Sequence, residues 1–464
     1  MKRRLAEETV IFISVLKWVI LAVIVGGIVG LSTTAFLMAL SWGTEFSGRY
    51  SNYLFHNSSY YFFLLPVALF LSTLMTKYLA PDAEGHGTDK IIEAVHKRSG
   101  KIKVLVVPVK LVATIITLVT GGSAGKEGPC AQIGAGLASV FADMLRVDEQ
   151  DRKKLVICGI SAGFASVFGT PIAGAIFGLE VLFVGNILYD VLLPSFVAGI
   201  TGYRVAWLLG AKHFHRNLNF VPAFSEHLFL QVILAGIFFG LCSFLLIEIL
   251  RTGEKLSKKI QIWKPLKGLI GGSALVVLTL VFSNTYLGLG VNTIRSSLLG
   301  RDVPWDAFLL KILYTSITLN FGGSGGIVTP IFFVGSTAGS FFADMLGADK
   351  ATFSALGLVG LLAGAANTPI AASIMALELF GPKLGPYAAI ACIISFLMTG
   401  HRSVYPSQMI DFRKSSSIHL EGAGEIEDVK AHVKLKPRSK RLIEICLMIG
   451  STIKEIFKKN KPND

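Results

Sequence analysis

Apolar residues run in long blocks with little polar sequence between them, at roughly 10–42, 60–80, 104–120, 130–145, 155–184, 187–210, 228–250, 268–290, 307–320, 330–346, 354–380 and 386–399. A helix needs about 20 residues to cross a bilayer, and several blocks are shorter. Others are long but interrupted, at Gly169-Thr170-Pro171 and Asn367-Thr368-Pro369. Broken helices in lipid are tolerated only where the freed backbone groups are buried in protein or face a watery cavity. The pattern predicts an all-α membrane protein of many tilted and broken helices, a transporter or channel and not an anchor. Val10–Trp42 is too long for the apolar part of a signal peptide and reads as the first membrane segment. The pattern stops after Gly400.

The blocks repeat. Gly122-Ser123-Ala124-Gly125 is answered by Gly323-Ser324-Gly325-Gly326, 201 residues on, and Phe141–Leu145 recurs as Phe342–Leu346 at the same offset of 201. Thr170-Pro171-Ile172-Ala173 matches Thr368-Pro369-Ile370-Ala371, and Glu180 matches Glu378, both 198 residues apart. Paired halves with Gly-broken helices at matching places point to a substrate site at their interface, near the bilayer midplane. The expected layout is a first repeat with its N-terminal helix (1–250), a cytoplasmic linker (251–267), a second repeat ending in a last pore helix (268–410), and a basic cytoplasmic tail (411–464). Within the tail, Leu442–Ile456 reads as an interfacial helix.

Composition agrees with a bilayer. Hydrophobic residues make up 52% and charged residues only 16%, against about 25% charged in soluble domains. The net charge of +14 suggests nucleic acid at first sight. Much of the excess, however, flanks apolar blocks, at Met1–Arg4, Lys97–Lys103, Arg251–Lys267 and Lys434–Lys461. That is the positive-inside signature, so no nucleic-acid partner is expected and both termini are placed in the cytoplasm. The five cysteines include no Cys-x-x-Cys pair, and His213-x-His215 reads as a polar loop. No metal and no cofactor are expected.

Gly121–Pro129 places Lys126 and Glu127 between two apolar blocks. A charge at that depth costs about 2.5–3.5 kcal/mol on insertion scales, which marks it as functional. This loop and Gly322–Pro330 each precede a helix, with a proline in a first-turn position. A helix N-terminus offers free N–H groups and about half a positive charge, so two opposed ends form an anion site without a full trapping charge. Glu127, when ionised, competes for the same donors; when protonated or displaced, it frees them. A nucleotide-binding loop fails here, because Thr120 replaces its first glycine and Glu127 its metal-binding hydroxyl. An enzyme using Glu127 as a base is disfavoured, since no histidine lies near it in sequence and no metal spacing appears.

Gly125-Lys126-Glu127-Gly128-Pro129 resembles the Gly-[Lys/Arg]-Glu-Gly-Pro motif of the CLC family of chloride channels and proton/chloride antiporters, the voltage-gated chloride channel family. Gly326-Ile327-Val328-Thr329-Pro330 resembles its Gly-x-Phe-x-Pro motif, with Val328 in place of Phe. Gly85-His86-Gly87-Thr88-Asp89 stands where that family has Gly-Ser-Gly-Ile-Pro, and Tyr405 matches the family's pore tyrosine. The resemblance spans about residues 10–410. It implies a CLC-type fold in two inverted repeats and a homodimer with a separate chloride or small-anion pathway in each subunit. It implies Glu127 as the gate, and His86, Gly125, Lys126, Gly128, Ile327, Val328, Thr329 and Tyr405 around the ion. His86 replaces a serine; it either donates to the ion or faces water at the mouth. Val181 takes the position of an inner proton-relay glutamate. Valine carries no proton, so a gated chloride channel is expected, with a proton-coupled antiporter as the alternative. Glu180, one residue earlier and about 100° round the helix, is expected to be a packing or capping carboxylate.

Overall fold

The computed structural model describes residues 2–55, 58–211, 225–421 and 424–433. In order, the helices are α1 (Lys2–Phe55), α2 (Leu65–Leu79), α3 (Thr88–Lys97), α4 (Val106–Val119), α5 (Glu127–Leu145), α6 (Glu149–Phe168), α7 (Pro171–Glu180), α8 (Leu192–Leu208), α9 (Glu226–Lys259), α10 (Lys264–Val281), α11 (Val291–Leu298), α12 (Ala307–Asn320), α13 (Val328–Leu346), α14 (Lys350–Ala366), α15 (Pro369–Phe380) and α16 (Gly385–Met398). Strands are few and short: Phe183–Val184, Met409–Ile410, Ile418–Glu421, Gly424–Glu425 and Lys430–Val433. Among the described residues, five spans are long and apolar enough to cross a membrane, within Glu7–Tyr53, Tyr60–Leu79, Tyr189–Leu208, Glu226–Lys259 and Lys264–Val281. The protein is a membrane protein, and its most thoroughly buried helices are α5, α6, α13 and α14.

The repeat is visible in the helix ends. Asp148 caps α6 by accepting from Asp151 N, and Asp349 caps α14 by accepting from Thr352 N. α5 and α13 end in left-handed residues, Arg146 and Gly347; α6 and α14 end in Gly169 and Asn367. Pro171 and Pro369 then open α7 and α15, as the Thr-Pro breaks predict. Glycine allows the central pairs to touch backbone to backbone. A Cβ on Gly134 would lie 2.5 Å from Gly159 O, and one on Gly335 would lie 2.3 Å from Gly357 O. These contacts join α5 to α6 and α13 to α14 in the way small residues join membrane helices.

Glu180 and Glu378 cap one another's helices. The Glu180 carboxylate accepts from Ile370 N (3.0 Å) and Ala371 N (2.8 Å) at the start of α15. Glu378 accepts from Ile172 N (3.0 Å) and Ala173 N (2.8 Å) at the start of α7. Each anion meets orphan N–H groups at the positive end of a helix in the other repeat. Both are capping carboxylates.

Two boundaries differ from expectation. The linker 251–267 is not a separate segment: α9 continues to Lys259, and a short turn leads into α10 at Lys264. Its Glu254–Lys258 pair, spaced four apart, suits a helix that projects past the apolar span. The last pore helix is also absent. Residues 400–408 form turns, because Gly400 is left-handed (φ 72°) and Pro406 denies helix to Tyr405. The chain then pairs Met409–Ile410 parallel to Phe183–Val184 at the end of α7. The expected interfacial helix Leu442–Ile456 lies outside the described residues, as does the His213-x-His215 pair.

Candidate anion pathway

The two Gly-rich loops meet as an antiparallel bridge. Gly125 N donates to Gly326 O at 2.6 Å, and Gly326 N donates to Gly125 O at 2.6 Å. α5 and α13 therefore start back to back at the centre of the molecule. The Gly125 N–H, expected on the ion, is committed to this bridge instead. Gly125 acts by its size: a Cβ there would lie 2.5 Å from the Glu127 Oε2 and 2.9 Å from Thr329 Oγ1.

Glu127 is buried, 1% exposed. Its Oε2 accepts from Lys126 N (3.0 Å), from Thr329 N (3.2 Å) and from the Thr329 hydroxyl. One carboxylate oxygen thus holds donors from both helix starts, which is the competition the sequence predicts. Lys126, by contrast, turns away. Its half-buried side chain lines an open vestibule of about 960 Å³ together with Tyr61, Asn284 and Asn292. Ile327 and Val328 are both 1% exposed. They stand in the first turn of α13, and among the described residues their N–H groups donate to no backbone carbonyl outside the helix.

On the other side of Glu127 lies the His86 loop. Gly128 is the contact point, since a Cβ there would lie 2.3 Å from His86 O. The His86 and Tyr405 rings face each other with centroids 5.5 Å apart. His86 Nδ1 and Tyr405 Oη are both buried without a hydrogen-bond partner among the described residues. Thr88 stands beside the tyrosine hydroxyl. Buried polar atoms without a partner are costly unless a ligand or water visits them. Val181 is fully buried; its carbonyl, at the end of α7, accepts from Gln408 Nε2 at 2.9 Å.

The sequence reading missed the scaffold behind these loops. In α4, Lys110, Thr114 and Thr117 share one face; in α12, Lys311, Thr315 and Thr318 do the same. Lys110 Nζ donates to Ala83 O (3.2 Å) and Gly85 O (2.6 Å), and so holds the His86 loop. Lys311 Nζ donates to Tyr286 O (3.0 Å) and Gly288 O (2.7 Å), and so holds a loop that lines the Lys126 vestibule. The threonines tie down the opposite repeat: Ser324 N donates to Thr117 (3.1 Å) and Ser123 N to Thr318 (3.0 Å). The serine hydroxyls bond Thr114 (3.3 Å) and Thr315 (3.0 Å). The signal was present, since Lys-x-x-x-Thr-x-x-Thr recurs at the 201-residue offset.

Broken membrane helices in two related halves, converging backbone N–H groups on one buried carboxylate, are the architecture of an anion transporter. Residues 67–400 match the model of the voltage gated chloride channel family. The chain is 34% identical over 420 residues to a chloride/fluoride channel protein of Pseudomonas syringae pv. tomato, covering 89% of this chain and 91% of that one. A solved CLC-type fluoride/proton antiporter superposes with a TM-score of 0.79 at 29% identity, covering 85% of this chain and 98% of the other. A slow cyanobacterial Cl-/H+ antiporter shares the fold, with a TM-score of 0.71 at 19% identity over 82% of this chain and 94% of that one. The chain belongs to the CLC family, and it is an anion-transport protein of the membrane.

Proposed function

We propose that this protein exchanges a small halide for protons, with fluoride preferred to chloride. The observation that carries the reading is the position of Glu127 Oε2 on the donors of both helix starts. An anion that uses those donors requires Glu127 to take up a proton or withdraw, so ion entry and proton binding are linked at one carboxylate. The likeness to a solved fluoride/proton antiporter, over 85% of this chain, supports the same exchange. Fluoride is the smallest and most basic halide, and it suits a site whose free donors are a tyrosine hydroxyl and an imidazole in place of serine. Val181 favours a second reading, the passive chloride or fluoride channel, because it removes the relay a glutamate would supply.

Proteoliposomes decide between them. A fluoride gradient is expected to drive uphill proton movement, with chloride moving at least about tenfold more slowly. Fluoride that dissipates without any proton movement establishes the channel. His86→Ser replaces one donor by another, and a neutral hydrogen bond is worth about 1 kcal/mol, so the fluoride-to-chloride ratio should change about fivefold. An unchanged ratio would remove His86 from the ion's path.

The reading is of a transporter, not an enzyme, working as a homodimer in the cell membrane with both termini in the cytoplasm. Exposed isoleucines on packed neighbours α7, α8, α15 and α16 (Ile172, Ile200, Ile370 and Ile393) support a self-association face. Sedimentation in detergent should give twice the 49.9 kDa chain mass. A monomer mass at all protein concentrations rejects the dimer.

A further inference from the structure

Past α16 the chain turns at Gly400 and runs beneath the ends of α14 and α7 to Tyr405. The polar side chains along this turn form one connected, mostly buried network. Gln408, fully buried, donates from Nε2 to Val181 O (2.9 Å) and Ala366 O (2.8 Å). Its Oε1 accepts from the Ser403 hydroxyl and from Asn367 Nδ2 (3.2 Å). Ser403 Oγ accepts from Tyr405 N at 3.0 Å, which fixes the backbone of the pore tyrosine. At the outer end, Asn367 Oδ1 accepts from Lys414 Nζ at 2.7 Å.

The surroundings of Lys414 are unusual for a cation. Its ammonium also donates to Phe396 O (2.7 Å) and lies 3.8 Å from the centroid of the Phe396 ring. Among the described residues no carboxylate pairs with it. α14 presents Asn367 and α16 presents Phe396, neither of which titrates. The intervening turn presents His401, whose Nε2 accepts from Lys414 N (3.1 Å), and Arg402, which is held by Glu248 of α9 (3.0 Å). Its own segment carries Asp411, beside Asn186 (3.5 Å), and Arg413. Burial pushes the Lys414 ammonium down to about 7; burial, with the Lys414 and Arg402 cations, pushes His401 down as well.

We propose that Lys414 is a positioning residue for the anion site: its ammonium locks Asn367, Gln408 and Ser403, and through them holds Tyr405 toward the ion. Charge-assisted bonds are about twice as strong as neutral ones. The lock is therefore tight below about pH 7 and loosens above it, as the ammonium loses its proton. This inference rests on anion transport by the family, and on neither the preferred halide nor proton coupling.

The test is calorimetric binding of sodium fluoride and sodium chloride to purified protein in an E127Q background, which removes the competing carboxylate. E127Q should bind about threefold more weakly at pH 8 than at pH 6. E127Q/K414M should show the weaker value at both pH values. E127Q/K414R should keep the tighter value at both, because a guanidinium stays charged. A pH dependence that survives in E127Q/K414M would place the titrating group elsewhere, at His86 or His401, and overturn the proposal. An E127Q/K414R that behaves like E127Q/K414M would reduce Lys414 to packing and overturn it too. A background protein that binds neither anion would overturn the reading of the site and this inference with it.

Discussion

On the proposed halide/proton exchange, Glu127→Gln should leave anion movement intact while abolishing its coupling to protons. In the structure three donors converge on one carboxylate oxygen. Hydrogen bonds to a charged acceptor contribute about 1.5–3 kcal/mol, against about 0.5–1.5 kcal/mol for neutral ones. Over three bonds the amide is held more weakly by about 3 kcal/mol, which is on the order of a hundredfold in competition against an incoming anion. The anion dissociation constant near pH 7.5 should fall by at least about tenfold. The steep part of its pH dependence should disappear, since the amide does not titrate. Proton movement driven by a fluoride gradient should become undetectable. Glu127→Ala, which removes the competitor altogether, should give the same loss of coupling with equal or faster anion flux. Proton pumping that persists in Glu127→Gln would move the proton-carrying group away from this site.

Much of the fold and the central place of Glu127 was legible because membrane helices leave a coarse, strong signal. Apolar blocks, Gly-Pro breaks and the 201-residue echo each follow from the cost of exposing backbone to lipid. Glu127 stood out for the same reason, as a charge at a depth that penalises charge. Glu180 was legible as a packing or capping carboxylate because its repeat mate Glu378 suggests a structural role in both halves. The irregular run around Tyr405 was less legible. It lies just past Gly400, where the apolar pattern has stopped and periodicity no longer guides the reading, and its turns follow from Gly400 and Pro406 together with pairing to Phe183–Val184. The role of Gly125 was also hidden. From sequence, a glycine beside an anion motif reads as a free N–H donor; only the bridge to Gly326 shows that the missing side chain is what matters. Gln408 and Lys414 could not be placed, since the groups they bind lie hundreds of residues earlier or on another helix.

Lys110→Met and Lys311→Met should each weaken anion handling about tenfold while their arginine counterparts should not. Both lysines are fully buried and donate to backbone carbonyl oxygens; Lys311 Nζ also lies 5.1 Å from the Phe333 ring centroid, and neither lysine forms an ion pair among the described residues. A buried ammonium without a carboxylate is costly, and its presence in both halves makes a packing accident untenable. In an anion transporter a passing ion would supply countercharge, and the prediction rests on that attraction. At an assumed separation of about 10 Å and an effective dielectric of about 20, the attraction is about 1.7 kcal/mol, somewhat more than tenfold in affinity. Removing the ammonium also leaves two carbonyls without their donor, at about 1–3 kcal/mol each, so the Met variants should lose thermal stability as well. The arginine variants separate the two effects, because they keep the charge whatever happens to the geometry. The measurement is the anion dependence of the initial flux at low and high ionic strength. Charge attraction predicts a raised KM in the Met variants with a rate at saturation within about threefold of the unsubstituted protein. An unchanged KM in both Met variants would limit the lysines to holding their loops. The two variants should also differ in kind: Lys110 holds the His86 loop and Lys311 the loop of the Lys126 vestibule. Each should therefore slow anion entry from one side only, which flux measured in opposite directions across the same liposomes will separate.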